Sequence, residues 1–307
     1  MSKNNKWVFI VNPIAGNGFA LSLTDRIKEM IGKYSLDAEL VYTQKHGHAT
    51  ELSRKYLDAG FKYIIGVGGD GTFNEIAIPL INHKEVVTGL IPGGTGNDFI
   101  QITGFPGRLD EGDWDRFFLQ NTIPMDVGIC NGKIFLNGMG LGFDAQVAAE
   151  NYTEPGEVKR GGKNKYIWHI LKTLLFFKEK KMMVFLGDKK SETSCFINTV
   201  AIGRRFAGSF FLTPEAIAND GLLDVCSIKK LGLFQRLRIL LMVPKGTHIY
   251  DKKVNYYQTP KLLIEFPQKV PFHVDGELYF AEKFDIRLLP GALNIIYNPE
   301  GNHFFNL

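Results

Sequence analysis

Apolar positions in the first third of the chain fall into short blocks separated by amphipathic stretches of helix length. Residues 6–11 (KWVFIV) form an apolar run that ends at Asn12-Pro13. Over 19–34, the apolar residues Leu21, Leu23, Ile27, Met30 and Ile31 recur at helical spacing. A strand-like 38–42 precedes a helix-like 48–59, and the buried-strand run 62–67 (KYIIGV) leads to a helix over 72–82. Residues 86–91 (VVTGLI) repeat the theme. Strands alternating with helices predict βαβ units and a parallel sheet covered on both faces.

From about Met125 the pattern changes. Shorter segments rich in Thr, Val, Ile and Phe follow one another at 133–137, 181–186, 195–202, 223–228, 253–257, 261–266 and 283–289. Strands so closely spaced predict an antiparallel sheet or sandwich. Helical stretches at 164–177 and 233–243 interrupt them. The segment 293–297 (LNIIY), after Pro290-Gly291, reads as a last strand that returns to the first domain. The expected division is therefore an α/β domain over 1–128, completed by 291–307, and a β-rich domain over 129–290.

Composition narrows the classes. A chain of 307 residues with 45% apolar and 22% charged residues is an ordinary globular protein of about two domains, which excludes disordered and collagen-like classes. No apolar run reaches the ~18 residues of a membrane-spanning helix, and the start, MSKNNKWVFIVNP, has no signal-peptide core. Cys130, Cys195 and Cys226 are too widely spaced for a disulfide framework or a zinc pattern, which fits a reducing compartment. A soluble, cytoplasmic protein is expected. The net charge of +4 names no partner, but residues 159–190 carry ten Lys/Arg against two acids, Glu179 and Asp188.

Glycine is in excess, 33 residues where an average chain has about 7%. Three clusters each follow a predicted strand of the first domain: NPIAGNG (12–18), GVGGDGTFNE (66–75) and PGGTGNDF (92–99). In a parallel sheet such loops share the carboxyl edge, where open α/β sheets bind ligands. Glycine allows close backbone approach and positive φ, and amides that open a helix attract anions. A phosphate-binding rim is expected. Gly66, Gly68 and Gly71 form a GxGxxG, but it follows the third strand and lacks the acid ~20 residues later that dinucleotide binding requires. Neither a P-loop nor the protein-kinase signatures occur. Asp70, inside the second cluster, would repel phosphate unless it holds Mg²⁺ or accepts a proton, two roles that belong to phosphoryl transfer. Asp98 and Asp126 follow similar strand ends. Each could join the same metal–water network or simply cap a turn.

These segments resemble the diacylglycerol-kinase-type lipid kinases, a family that includes the bacterial soluble diacylglycerol kinases and the sphingosine kinases. The resemblance rests on NPIAG, GGDGTFNE and PGGTGNDF, and then on DVG (126–128), NGMGLGFDAQV (137–147), DGLLDV (220–225) and VDGE (274–277). GGDGT alone is shared with NAD kinases and 6-phosphofructokinases. The resemblance implies a nucleotide-binding α/β domain, a C-terminal β-sandwich and an active site in the cleft between them. It implies an ATP site lined by Asn12, Pro13, Gly16, Thr43, Gly68, Gly69, Asp70, Gly71, Thr72, Asn74 and Thr95. A basic pair, matched loosely by Arg160 and Lys165, would reach the phosphates. It also implies Glu277 as the catalytic base, with Asp70 as the competing candidate and otherwise serving Mg²⁺–ATP. Without the family, the HVDGE segment reads as a hairpin turn. A Mg²⁺ site would use the Asp220 side chain and the carbonyls of Ile217 and Leu222. The residues alone would make NDG (219–221) a turn.

Within 159–190 lies YIWHILKTLLFF (166–177), and basic residues beside an amphipathic helix suit an anionic membrane surface. A buried helix with a solvated basic rim fits equally well. FAGSFFL (206–212) is either core or the mouth of an acyl-chain pocket. No nucleic-acid motif accompanies the basic run. The expected activity is an ATP- and Mg²⁺-dependent lipid kinase, peripheral to the inner face of the membrane, acting on diacylglycerol or a related lipid. The alternatives are a sphingoid-base kinase, an NAD kinase and a non-catalytic nucleotide-binding regulator. A homodimer is allowed, but no residue pattern specifies one.

Overall fold

The computed structural model describes residues 5–154, 157–158 and 172–307. Contacts divide the chain into two compact units. Unit 1 comprises Met1–Val127, Ile217–Asp220 and Leu289–Leu307, and unit 2 comprises Gly128–Ala216 and Gly221–Leu288.

In unit 1, β1 (Trp7–Val11), β2 (Ala38–Tyr42), β3 (Tyr63–Gly68) and β4 (Val87–Pro92) form a parallel sheet in the order β4-β3-β1-β2. Every residue of β1, β3 and β4 is buried. That explains their unbroken apolar sequence, since a parallel strand covered on both faces has no solvent side to alternate with. The edge strand β2 keeps exposed positions. The expected helix over 19–34 is divided into α1 (Phe19–Ser22) and α2 (Thr24–Lys33). The break falls where the Thr24 hydroxyl donates back to the Leu21 carbonyl at 2.8 Å, a local bond that competes with the helical ladder.

Next come α3 (His48–Asp58), α4 (Asp70–Leu80) and α5 (Glu111–Phe118). Helix α4 starts two residues earlier than the apolar pattern suggests, directly on the strand end. It also contains Pro79, whose missing N–H would orphan the carbonyl four residues before it. That carbonyl, of Glu75, accepts the Thr50 hydroxyl of α3 at 2.9 Å, and the buried Ser53 hydroxyl donates to Ile76 O at 2.8 Å. The two helices are thus joined through polar groups, one of which, the Glu75 carbonyl, the helix itself leaves unsatisfied.

β5 (Thr122–Cys130) runs from unit 1 into unit 2. Unit 2 contains β6 (Lys133–Phe135), β7 (Gly138–Gly142), α6 (Phe143–Asn151) and a small pair, β8 (Tyr152–Glu154) and β9 (Glu157–Val158). It continues with β10 (Lys181–Leu186), β11 (Lys189–Ala201), β12 (Leu223–Lys229), α7 (Leu233–Met242), β13 (Val254–Thr259) and β14 (Lys261–Val274). All the registered pairings here are antiparallel. The long strands β11 and β14 each pair with β10 along their first part and with β7 along their second. β11 begins at Lys189, well before the expected 195, because its polar half is held by backbone pairing with β10, which hydropathy does not register.

The last strand, β15 (Glu277–Ile296), starts in unit 2. Its end pairs in parallel with β4 in unit 1, Asn294 opposite Val87 and Ile295 opposite Thr88.

Candidate functional site

Three glycine loops leave the carboxyl ends of β1, β3 and β4, and in unit 1 they pack on one another. The amides of Gly93 and Gly94 donate to Gly68 O at 2.7 and 3.0 Å. A Cβ on Gly16 would lie 2.2 Å from Gly93 O, one on Gly93 2.6 Å from the Ala20 Cβ, and one on Gly94 2.4 Å from the Gly69 Cα. Close approach of loop to loop therefore requires these glycines. The expectation of positive φ holds for the first loop, at Gly16 and Gly18, whereas among the described residues the second loop has none and the third only Asn97. Gly71 differs from its neighbours: a Cβ there meets nothing within 4 Å. It opens the first turn of α4, whose N-cap, Gly69, has no side chain with which to cap the helix. Those first-turn amides are the kind that a phosphate can use.

Polar groups gather at the same strand ends. Asn12 Nδ2 donates to Thr72 Oγ1 at 2.9 Å, and the Thr43 amide donates to Val11 O at 2.9 Å. Asn12, Thr43 and Thr72 thus meet around the ends of the first three strands, with Pro13 half-buried beside Asn12. Thr95 is exposed at the tip of the third loop, and Asn74 is half-buried on α4. Asp70 has a task that its motif does not disclose. Its Oδ2 and Oδ1 accept the amides of Asp98 at 2.9 Å and Phe99 at 3.1 Å, which pins the third loop to the second. Such charge-assisted bonds are stronger than neutral ones.

Three further residues shape this rim. Buried Asn97 closes the third loop by accepting from the Gly94 amide and donating to the carbonyls of Gly94 and Gly107, each at 3.1 Å. Glu75 accepts the amides of Gly47 at 2.9 Å and Ala49 at 3.2 Å, and so supplies the cap that α3 lacks in its own sequence. The Arg108 guanidinium lies 4.1 Å from the Phe19 ring centroid and donates to Gly107 O at 3.0 Å, placing an exposed cation beside the glycine loops. Glu75 stands in the quoted motif, so its presence is a signal, but its partner is 26 to 28 residues away. Arg108 has no sequence signal at all.

The candidate metal ligands fall in both units. Asp126 is 2% exposed, its Oδ1 accepts the Gly291 amide at 2.7 Å, and its own amide donates to Ala218 O at 2.9 Å. It braces β5 to the last strand. Ile217 and Asp220 lie in a segment held within unit 1 by Asn219, which exchanges bonds with the Asn306 backbone at 2.8 and 2.7 Å. Leu222 belongs to unit 2. Among the described residues, no group of three or more His, Cys, Asp or Glu side chains is placed to hold a metal ion. The glycine cradle and its amides fit a nucleotide's phosphates. For the metal, Asp70 and Asp98 offer the hard oxygens that Mg²⁺ takes together with phosphate and water.

In unit 2, Asp275 (φ 44°) and Gly276 (φ 88°) form the tight turn between β14 and β15, in which Val274 pairs with Glu277. Positive φ at both central residues selects Asp-Gly. The hairpin expected from HVDGE is present, and Glu277 is the exposed residue immediately after it. Its Oε2 accepts from Tyr279 Oη at 2.5 Å, and Lys133 Nζ lies 3.8 Å from the Tyr279 ring centroid. Asp275 fixes this corner by accepting the amides of Leu136, Asn137 and Gly138 at 2.7, 3.1 and 2.8 Å. His273 Nε2 is 3.1 Å from Asp144 Oδ2. A small pocket of about 30 Å³ in the same unit is lined by Leu141, Phe177, Met182, Phe266 and Val270, with Gln146, Lys180 and Asn198 at its wall. Phe206 and Phe210 of FAGSFFL form a small bridge of their own, outside that lining. Arg160 and Lys165 lie outside the described residues, as do 159–171 of the basic segment. No helix among the described residues is long and apolar enough to cross a membrane.

Known proteins match this arrangement along nearly the whole chain. Residues 6–130 match the diacylglycerol kinase catalytic domain, and residues 137–297 match the YegS C-terminal NAD kinase β sandwich-like domain. A diacylglycerol kinase of Bacillus subtilis (strain 168) is 26% identical over 272 residues, 87% of this chain and 88% of that protein. A Shewanella frigidimarina protein named "Probable lipid kinase YegS-like" is 28% identical over 243 residues, 78% of this chain and 77% of its own. The crystal structure of a Bacillus anthracis protein, described as a candidate diacylglycerol kinase, superposes with a TM-score of 0.79 at 25% identity and covers 97% of each chain. The chain belongs to the family that joins a diacylglycerol kinase catalytic domain to a YegS-type C-terminal β sandwich-like domain.

Proposed function

We propose that the protein is an ATP- and Mg²⁺-dependent kinase that phosphorylates a hydroxyl of diacylglycerol or a closely related lipid. The observation that carries this reading is the interlocking of three glycine loops at the carboxyl edge of the unit 1 sheet. The loops are constrained to glycine where they approach one another, whereas Gly71 of the second loop has open space where a side chain would stand. An open glycine on the first turn of a helix suits a ligand backbone contact better than a packing role. Phosphoryl transfer relies mainly on positioning and charge neutralisation, and this rim offers amides, hydroxyls and the Arg108 cation for both.

Asn12, Thr43, Thr72 and Thr95 would orient the nucleotide phosphates. Mg²⁺, when bound, supplies neutralisation of phosphate charge, and Asp70 and Asp98 are the carboxylates that would hold it. Asp70 also keeps the third loop in place through the amides of Asp98 and Phe99. Glu277 accepts the proton of the lipid hydroxyl, with Tyr279 fixing one of its oxygens. Access to such a substrate is by peripheral contact with the membrane from the cytoplasm.

The test is transfer of labelled phosphate from ATP with Mg²⁺ to a panel of lipids in mixed micelles, with NAD and a sphingoid base as competing acceptors. Diacylglycerol is expected to be the acceptor. Glu277→Gln is expected to lower turnover by roughly 10²–10⁴-fold, the range for a general base, with the melting temperature unchanged. Asp70→Asn is expected to lower turnover and also to destabilise the fold, because the amide nitrogen that replaces one carboxylate oxygen cannot accept from a backbone N–H. Phosphorylation of NAD and of no lipid would overturn the proposal.

A further inference from the structure

Helix α7 is built the wrong way round for a helix facing water. It turns Leu233, Phe234, Leu237 and Leu241 outward, at 45, 88, 51 and 69% exposure, while Arg236 is 7% exposed. These four apolar positions (i, i+1, i+4, i+8) lie on one face. The inner face is anchored by Ile239, which packs into the core that holds Phe196, Ile228 and Leu231. The rotation of the helix is set by Arg236. Its guanidinium donates to Leu174 O at 2.6 Å, to Phe177 O at 2.9 Å and to Glu179 Oε1 at 2.7 Å. Those carbonyls belong to the helical turn 172–176 and the residue after it, which together tie α7 to a turn that leaves Leu175 and Phe176 55 and 73% exposed. Six large apolar side chains are thus held in water by a buried ion pair.

The charge around them has one sign. Besides the buried Arg236, residues 229–245 contain four exposed cations, Lys229, Lys230, Arg238 and Lys245, and no Asp or Glu. Residues 172–180 add Lys172, Lys178 and Lys180, all exposed, against Glu179 alone, which is spent on Arg236. Asp251, which faces Arg238 at 3.1 Å, is itself turned inward with a side chain 6% exposed.

We propose that α7, with Leu175 and Phe176, is the surface by which this protein docks onto an anionic lipid bilayer. The proposal rests on the lipid-kinase reading for its occupant. An apolar face rimmed by cations inserts at the headgroup boundary while its charges meet anionic lipid. A second copy of the chain fits poorly, because an isologous contact would set the same cations against each other.

The experiment mixes the full-length protein with vesicles of equal parts phosphatidylglycerol and phosphatidylcholine, and with vesicles of phosphatidylcholine alone, and measures the bound fraction by sedimentation. Binding is expected on the anionic vesicles and is expected to weaken as salt is raised. Phe234→Gln/Leu237→Gln/Leu241→Gln is expected to lower the partition constant at least about tenfold by removing buried apolar surface. Lys229→Ala/Lys230→Ala is expected to weaken binding to anionic vesicles only. Both variants are expected to melt like the parent, since every substitution is at an exposed position, and Phe234→Trp is expected to retain binding. Undiminished vesicle binding by the triple glutamine variant overturns the proposal. So does a parent dimer that the variant converts to monomer without loss of vesicle binding. Transfer to diacylglycerol in detergent micelles, where docking is bypassed, is measured in parallel. If it is absent while the variant still loses vesicle binding, the kinase reading falls and the docking surface stands.

Discussion

Helices α2 and α7 have ten residues each and opposite constructions. Helix α2 buries Ile27 and Met30 and turns outward Asp25, Lys28 and Glu29, which pair with one another and with Arg26 along the surface. Helix α7 buries its arginine and exposes its leucines. The first is held by apolar burial, the ordinary source of helix stability in a folded protein. The second gains its core contact from Ile239 and its orientation from a buried ion pair. Amphipathicity alone therefore does not say which face of a helix is inside. A fixed polar contact can reverse it.

The sharpest way to break this contrast is to remove the ion pair. Arg236→Met leaves Glu179 buried without its partner and is expected to cost about 3–5 kcal/mol in urea unfolding. Adding Glu179→Gln is expected to return much of that, because the uncompensated charge is gone. A loss of under 1 kcal/mol for the single variant would mean that the pair does not set the helix. Ile27→Ala in α2 is expected to cost about 2–5 kcal/mol as a fully buried truncation, whereas Leu237→Ala in α7 should stay within about 0.5 kcal/mol. Equal costs would erase the distinction.

The smallest effect is on pH dependence and belongs to unit 2. His248, just after α7, is fully buried, with Nε2 3.3 Å from Leu212 O and 3.5 Å from Cys226 Sγ. Burial lowers its pKa from the usual 6.5, against the opposing pull of the Leu212 carbonyl. The same burial raises the Cys226 thiol to about 12, so that neighbour stays neutral. The folded state thus holds His248 neutral while the unfolded chain binds a proton. Its contribution is fully present above pH ~6.5 and is lost as pH falls below that value. Thermal unfolding scans across this window should show the decline, and His248→Gln should flatten it.

The α/β half was legible because burial on both faces writes itself as apolar runs, and because Gly, Pro and Asp punctuate the strand ends. The tight turn before Glu277 was legible for the same reason, since Asp-Gly is what two successive positive φ angles select. Less was visible where a residue acts across the chain. Asp70 grips amides 28 and 29 residues away, Asp275 grips three amides about 140 residues away, and Arg108 rests on Phe19. None of these partners leaves a mark at a fixed spacing. The polar first half of β11 was missed because its strand character comes from neighbouring backbone.

By itself, the sequence determined the alternating strands and helices of the first domain, the strand-rich character of the second, and the positions of the glycine loops and the carboxylates beside them. These follow from local sterics and from burial, which each segment expresses in its own residues. Only the tertiary structure decided which glycines are needed for loop packing and which is open, that Asp126 braces two strands, and that α7 faces outward. Those outcomes depend on what lies opposite a residue in space, and chain order does not encode that.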